Sequence, residues 1–186
     1  LDDLVLKQYG QTVEVNSERI HLLHPSGAPK SYFAEFGWVG GSDSPNLPGP
    51  TTIWASDGKQ LTPGQPVTLS WDNGAGLKFE RTYSLDEGYM VTVTQKVINT
   101  GETPTALFPY GLIARSGTPD TLGFYILHEG PLGVFDGTLR EYDYDDVQET
   151  RKIEVTSNGG WIGITDKYWL AALVPDQAEN FTYRFV

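Results

Sequence analysis

The sequence predicts an all-β fold, an antiparallel two-layer β-sandwich that forms one domain over residues 1–186. Three observations support this prediction: apolar and polar residues alternate in several runs, Gly and Pro lie between those runs, and no convincing amphipathic helix is seen. The 21 Gly and 12 Pro divide the apolar runs into short segments, as turns between strands do. A chain of this length can bury one sizeable core.

The centre of the chain shows the alternation most clearly. Leu77, Phe79 and Tyr83 lie on one face of a predicted strand, while polar residues occupy the other face. Asn73-Gly74 precedes this run and predicts a tight turn. Successive runs joined by short turns predict a meander, from which the chain turns into a further strand. The expected strands cover 67–71, 77–85, 89–97 and 105–115.

The last third of the chain has the same character. Gly159-Gly160 can adopt backbone conformations closed to other residues, so the chain can turn tightly before Trp161. We expect Trp161 on the inward face with Gly163, and a two-residue hairpin loop at Asp166-Lys167. The best candidate for a short helix is 143–150, which has few apolar residues. The expected strands are 151–156, 160–165 and 168–174.

Two regions lack clear periodicity. Residues 40–50 are rich in Gly and Pro and predict a long ordered loop. Residues 116–136 mix Gly, Pro and aromatic residues and predict short strands.

Composition excludes several classes of function. The formal net charge of -11 opposes binding to nucleic acid, whose affinity for proteins comes mainly from Lys and Arg contacts to phosphate. Anionic lipid surfaces are disfavoured for the same reason. The absence of Cys excludes disulfides and zinc-thiolate sites, and we expect no cofactor. The chain has no apolar stretch long enough to span a bilayer.

The three histidines are weak candidates for chemistry. His21 and His24 are three residues apart in a strand-to-turn segment, so in a strand they would face opposite sides and would be poorly placed to bind one metal ion. His128 lies in a loop-like region. We therefore expect packing or surface roles for all three and predict no metal ligand or catalytic residue.

The main cluster of carboxylates is the candidate partner contact. Its five carboxylates in nine residues repel one another, so we expect a mobile edge with little of its own to hold it, docking a basic partner. A calcium site and a solvated acidic loop are the alternatives, although the calcium reading lacks an internal Gly. Flanking Arg140, Arg151 and Lys152 could pair with some carboxylates, and the tyrosines offer apolar area to a partner. The candidate contact residues are Glu141, Tyr142, Asp143, Tyr144, Asp145 and Asp146, with Glu149 completing the acidic stretch.

One charged residue and the tryptophans complete the candidates. Arg81 shares the apolar face of its strand and must reach water or pair with a carboxylate, which we expect to be a structural role. The five Trp could form a platform for stacking sugars, but we expect them in the core and at its rim. They are Trp38, Trp54, Trp71, Trp161 and Trp169.

Two segments carry a resemblance to a known family. Residues 158–175, Asn-Gly-Gly-Trp-Ile-Gly-Ile-Thr-Asp-Lys-Tyr-Trp-Leu-Ala-Ala-Leu-Val-Pro, resemble the end of the large periplasmic domain of the YidC membrane-protein insertases. A Gly-Gly-Trp strand that leads by a tight turn into a Tyr-aromatic strand closed by Pro is typical of that family. Residues 32–39, Tyr-Phe-Ala-Glu-Phe-Gly-Trp-Val, resemble the same domain, and the loop and paired strands after them follow in the expected order.

The resemblance implies a β-supersandwich similar to galactose mutarotases and some carbohydrate-binding domains. It also implies a multi-pass parent in the bacterial inner membrane, with this domain on the periplasmic face. The chain begins at Leu1 and both ends read as strand, so we expect a piece of a longer polypeptide. Its expected role is accessory and non-catalytic: through the parent it would contact Sec translocon components or nascent membrane proteins. The chain itself is expected to be a monomer that does not insert into the membrane.

The alternative function is a mutarotase-like sugar-binding module or an aldose epimerase. Epimerisation needs a general acid and a general base on either side of the sugar ring, commonly a His and a carboxylate. A His within hydrogen-bond distance of Asp or Glu in a concave site would favour this alternative.

Overall fold

The computed structural model of the chain describes residues 1–41, 46–119, 121 and 126–186. Within these ranges the chain forms fourteen β-strands and one short helix. The elements are β1 (Leu4–Gly10), β2 (Arg19–Leu23), β3 (Tyr32–Gly40), β4 (Ala55–Ser56), β5 (Val67–Asp72), β6 (Leu77–Leu85), β7 (Val91–Asn99), β8 (Leu107–Arg115), β9 (Gly130–Phe135), β10 (Thr138–Glu141), α1 (Tyr144–Thr150), β11 (Ile153–Asn158), β12 (Trp161–Thr165), β13 (Leu170–Leu173) and β14 (Asn180–Phe185).

The predicted all-β fold class is confirmed, because antiparallel sheets make up nearly all of the described structure. The helix candidate at 143–150 is also confirmed as α1. The loop expected over 40–50 and the short strands expected over 116–136 each include residues outside the described ranges, although β9 is one strand of the latter region. The chain divides into two compact units, residues 1–35 with 111–186, and residues 36–110.

The unit formed by residues 36–110 contains the predicted meander. Strands β5, β6 and β7 are consecutive neighbours in the sheet β4-β5-β6-β7. The turn between β5 and β6 is closed by the Asn73 side chain, whose Oδ1 accepts hydrogen bonds from the Ala75 and Leu77 N–H groups. β8 does not extend this sheet, because it pairs with β3. Phe79 is fully buried and forms the core of the unit with Trp38 and Leu77.

Three sheets lie wholly within the described residues of the unit formed by residues 1–35 and 111–186. β9 and β12 are the inner strands of the sheet β10-β9-β12-β13, β11 pairs with β14, and β1 pairs with β2. Aromatic residues from β9 and β14 form most of the core: the Phe135 ring lies 5.1 Å from that of Tyr183 and 6.4 Å from that of Phe185. Val147 of α1 completes this cluster. We call these four residues the Phe135 cluster.

The expected orientation of Trp161 is wrong. Ile162, not Trp161, packs against the Phe135 cluster, so alternation along β12 places Trp161 on the opposite face, where it is half-buried. β9 determines this orientation. Ile162 pairs with Gly133, whose missing side chain leaves room for the Phe135 ring.

The expected turns are partly confirmed. Gly160 has a φ of +92°, and a Cβ there would collide with the Val134 carbonyl, so the tight turn before β12 does require Gly. The hairpin after β12 is not a two-residue loop, because Thr165 pairs with Leu170 and four residues lie between them. The dipeptide Asp166-Lys167 lacks a Gly to supply the positive φ that two-residue turns favour, and the longer loop avoids that need.

Candidate functional site

The acidic segment forms a helix with a defined start. Asp143 is the N-cap residue of α1, and its N–H donates a hydrogen bond to Asp146 Oδ2 at 3.2 Å. Asp145 and Asp146 lie in the first helical turn, where the positive end of the helix dipole favours carboxylates. The same charges that repel one another therefore stabilise the helix start.

Val147 attaches this helix to the rest of its unit. Its side chain is buried in the Phe135 cluster, and its carbonyl accepts the hydrogen bond from Arg151 N–H that ends the helix. The expectation that the segment has little to hold it is therefore wrong. In contrast to Val147, all five acidic side chains of the segment are exposed: Glu141, Asp143, Asp145, Asp146 and Glu149.

The two tyrosines of the segment pack on their own unit. The Tyr142 ring lies 5.0 Å from the Phe185 ring, and the Tyr142 N–H donates to the Pro131 carbonyl. Tyr144 is half-buried, and its hydroxyl lies 3.5 Å from Arg115 Nη1. Part of the apolar area that we expected them to offer a partner is therefore already covered.

An ion pair lies beneath Tyr144. Arg115 Nη1 donates to Asp166 Oδ1 at 2.6 Å, and the guanidinium lies 4.8 Å from the centre of the Tyr32 ring. Burial lowers the pKa of Arg115, but the hydrogen bond and charge of Asp166 outweigh burial and hold that pKa above its usual value. Burial also raises the pKa values of the Tyr32 and Tyr144 hydroxyls. We call Tyr32, Arg115, Tyr144 and Asp166 the Arg115 network.

Sequence reasoning missed the Arg115 network, except for Tyr144. Arg115 and Asp166 are 51 residues apart, and nothing in either local pattern indicates the other. Only the end of β8 and the loop after β12 bring them together. Within it, Arg115 contacts both Asp166 and the Tyr144 hydroxyl, which positions Tyr144 on α1, whereas the buried Tyr32 hydroxyl has no hydrogen-bond partner among the described residues.

The acidic surface of α1 is not neutralised by ion pairs among the described residues. Within the described ranges, no Lys or Arg lies at ion-pair distance from any of its five carboxylates. Of the flanking cations that we expected to pair with them, Lys152 contacts Glu154 instead, at 2.7 Å. The described residues also contain no group of three or more His, Asp or Glu arranged to hold a metal ion. The geometry is therefore that of an exposed electrostatic surface on a fixed helix.

The histidines do not form a catalytic pair with a carboxylate. His21 and His24 do not face opposite sides, because their rings stack 5.3 Å apart. His24 lies past the end of β2, so strict strand alternation no longer applies to it. His128 Nε2 lies 3.1 Å from the Pro131 carbonyl. Within the described part of the chain, no hydrogen bond or ion pair joins any of the three to Asp or Glu, so the epimerase alternative gains no support.

Arg81 does not pair with a carboxylate in the part of the chain that the structure describes. Its guanidinium carbon lies 4.5 Å from the centre of the Trp54 ring and 5.2 Å from that of Trp38. The apolar face of β6 therefore accommodates the charge by cation–π contacts. Trp38, Trp54 and Trp71 pack around Phe79 in the core of their unit, and Trp161 and Trp169 are half-buried in the other unit.

The comparisons with known proteins point to one family. A family model described as the YidC periplasmic domain matches residues 1–186. A protein named membrane protein insertase YidC from Methylorubrum extorquens is 47% identical over the whole chain and 32% of its own length. Similar proteins of that name from Bradyrhizobium diazoefficiens and Acidiphilium cryptum are 46% and 44% identical over 30% and 33% of their lengths.

The chain thus spans about a third of the length of the curated relatives that it matches. No helix in the described residues is long and apolar enough to cross a membrane. The full-length match, together with the all-β architecture, identifies the chain as a member of the YidC periplasmic domain family.

Proposed function

We propose that this chain is a non-catalytic accessory domain of an inner-membrane protein insertase, placed on the periplasmic face. In this proposal the exposed face of α1 docks a basic surface on a Sec translocon component or on a translocating membrane protein. The observation that carries the proposal is the set of five exposed carboxylates that no described cation neutralises, on a helix fixed by Val147.

Carboxylates held in fixed positions favour docking, because less conformational freedom is lost on binding. A mobile acidic loop would lose conformational freedom on binding, whereas α1 is already ordered by its core contact and by the Arg115 network. Exposed charges at an interface mainly accelerate association and select the partner by sign. A face of seven helical residues is smaller than the roughly 800 Å² per partner of a typical interface, so α1 would supply the electrostatic part of a larger contact.

The test is co-purification of the full-length parent with Sec components at two salt concentrations. The test variant replaces Asp143, Asp145 and Asp146 with Asn. Asn is an equally good N-cap residue, so α1 should survive. The relieved repulsion among the carboxylates offsets the lost interaction with the helix dipole, so thermal stability should be nearly unchanged. Recovery of the partner should fall at low salt and should become less sensitive to salt.

A matched control removes the same number of charges elsewhere. Glu87, Glu102 and Glu179 are exposed and lie outside α1, so their replacement by Gln changes the net charge equally. This control should retain wild-type recovery. Equal recovery of wild type, test variant and control at both salt concentrations would show that the acidic face is only a solvated surface.

A further inference from the structure

Two histidines near the end of β2 share one face because the pairing of this strand with β1 is irregular. Two consecutive residues of β1 pair with Leu23 and His21 of β2, which makes Leu22 an extra residue between them. One extra residue in a strand, as in a β-bulge, reverses the side-chain alternation beyond it and can re-aim a side chain. His24 is three positions after His21, so this reversal brings its side chain to the same face.

The backbone holds both histidines in place. His21 is paired with Val5 in the ladder of β1 and β2. The His24 N–H donates to the Tyr32 carbonyl at 2.7 Å, and the His24 carbonyl accepts from the Tyr32 N–H at 3.0 Å. A ligand of the two imidazoles therefore has only side-chain torsions to order, which keeps the entropic cost of binding low.

The ring nitrogens are available as metal ligands. Within the described ranges, neither ring forms a hydrogen bond or an ion pair, and His21 is exposed while His24 is half-buried. Imidazoles that share one tetrahedral ion through nitrogens about 2 Å from it have ring centres roughly 5 Å apart. The two ring centres lie 5.3 Å apart with the ring planes at 18°, so rotation about the side-chain bonds can aim one nitrogen of each ring at a common point.

The chemistry of the two ligands selects the class of ion. Imidazole nitrogen suits Cu²⁺, Ni²⁺ and Zn²⁺, whereas Ca²⁺ and Mg²⁺ prefer oxygen ligands. Among these ions, Cu²⁺ generally forms the most stable complexes with nitrogen ligands. Arg19 precedes His21 by two residues on β2 and so lies on the same face, where its charge opposes a bound cation and limits the affinity.

We propose that His21 and His24 together chelate one divalent late transition-metal ion, with Cu²⁺ bound more tightly than Ni²⁺ or Zn²⁺. Two protein ligands hold the ion reversibly, and its other coordination positions take water or a donor from another molecule. The ion binds a corner that the backbone already fixes, so the fold does not depend on it. Chelator treatment therefore removes the ion and leaves the stability of the chain unchanged.

The experiment is isothermal titration of the chelator-treated 186-residue chain with CuCl₂, NiCl₂ or ZnCl₂ in a non-coordinating buffer at neutral pH. The wild-type chain should bind one equivalent, most tightly for Cu²⁺. His21→Gln and His24→Gln should each weaken Cu²⁺ binding by at least about tenfold, since loss of even a residue that only orients a metal ligand can cost that much. His128→Gln, which removes the third histidine from the same unit, should bind as the wild type does.

Electron paramagnetic resonance of the Cu²⁺ complex counts the nitrogen ligands. The wild-type spectrum should show coupling to two imidazole nitrogens. Thermal unfolding of each metal-free variant verifies that it is folded. His21 is exposed, so His21→Gln should fold, and this variant suffices by itself because loss of either ligand breaks the chelate.

Four outcomes overturn the proposal. The first is Cu²⁺ binding by the wild type that is no tighter than that of the double variant His21→Gln/His24→Gln. The second is two equivalents in the wild type with one of undiminished affinity in each single variant, which would mean two separate histidine ligands. The others are a single coupled nitrogen in the wild-type spectrum and an equal loss of affinity in His128→Gln. The measurement involves neither α1 nor a translocon, so its result is independent of the proposed function.

Discussion

Val147 offers a direct test of how the acidic helix is held. Val147→Ala removes two buried methyl groups from the Phe135 cluster, at about 0.8 kcal/mol each, and leaves a small cavity. The higher helix propensity of Ala returns about 0.5 kcal/mol. The free energy of unfolding should therefore fall by about 1–2 kcal/mol, which lowers the melting temperature by roughly 3–6 °C in a chain of this size.

The assay is thermal and urea unfolding followed by circular dichroism, with Glu149→Ala as the control in the same helix. Glu149 is exposed, so its replacement should change the free energy of unfolding by less than about 0.5 kcal/mol. If Val147→Ala were as mild as the control, α1 would not be attached through the Phe135 cluster. The acidic surface would then not be fixed by a core contact.

Three further predictions concern other parts of the molecule. Trp161→Ala should lower the free energy of unfolding in urea by about 2 kcal/mol, because Trp161 is only half-buried. Phe135→Ala, at a fully buried position, should lower it by roughly 3–5 kcal/mol. Equal losses would place Trp161 in the core. Hydrogen bonds from Lys152, and to a smaller extent from Arg184, lower the pKa of Glu154 to about 2. The charged Glu154 therefore stabilises the folded chain at neutral pH, and this stabilisation is lost as pH falls from about 4 towards 2. In low salt, the difference in urea midpoint between wild type and Glu154→Gln should therefore shrink over that pH range, and a constant difference would contradict the paired geometry. Elemental analysis should find no stoichiometric metal, and a chelator should leave the melting temperature unchanged; a large drop would reveal a structural ion.

Much of the fold is readable from local pattern. The alternation in β6 predicts its buried face, and the register Trp71–Phe79–Val97 confirms it, because period two leaves only one way to bury that face. The helix at 143–150 and the Gly159-Gly160 turn are readable for the same reason, since both depend on neighbouring residues. Family membership also follows from short segments, as the full-length match confirms.

The orientation of Trp161 and the pairing of β8 with β3 depend on contacts distant in sequence, so period alone cannot decide them. The same holds for charge. The sequence shows that the acidic stretch is negative, but only the folded chain shows that Val147 fixes it while Arg115 pairs with Asp166. Local composition determines which residues carry charge and which faces are apolar. Tertiary packing determines which charges meet a counter-ion, because an ion pair forms only where the fold brings two side chains within a few ångströms of each other.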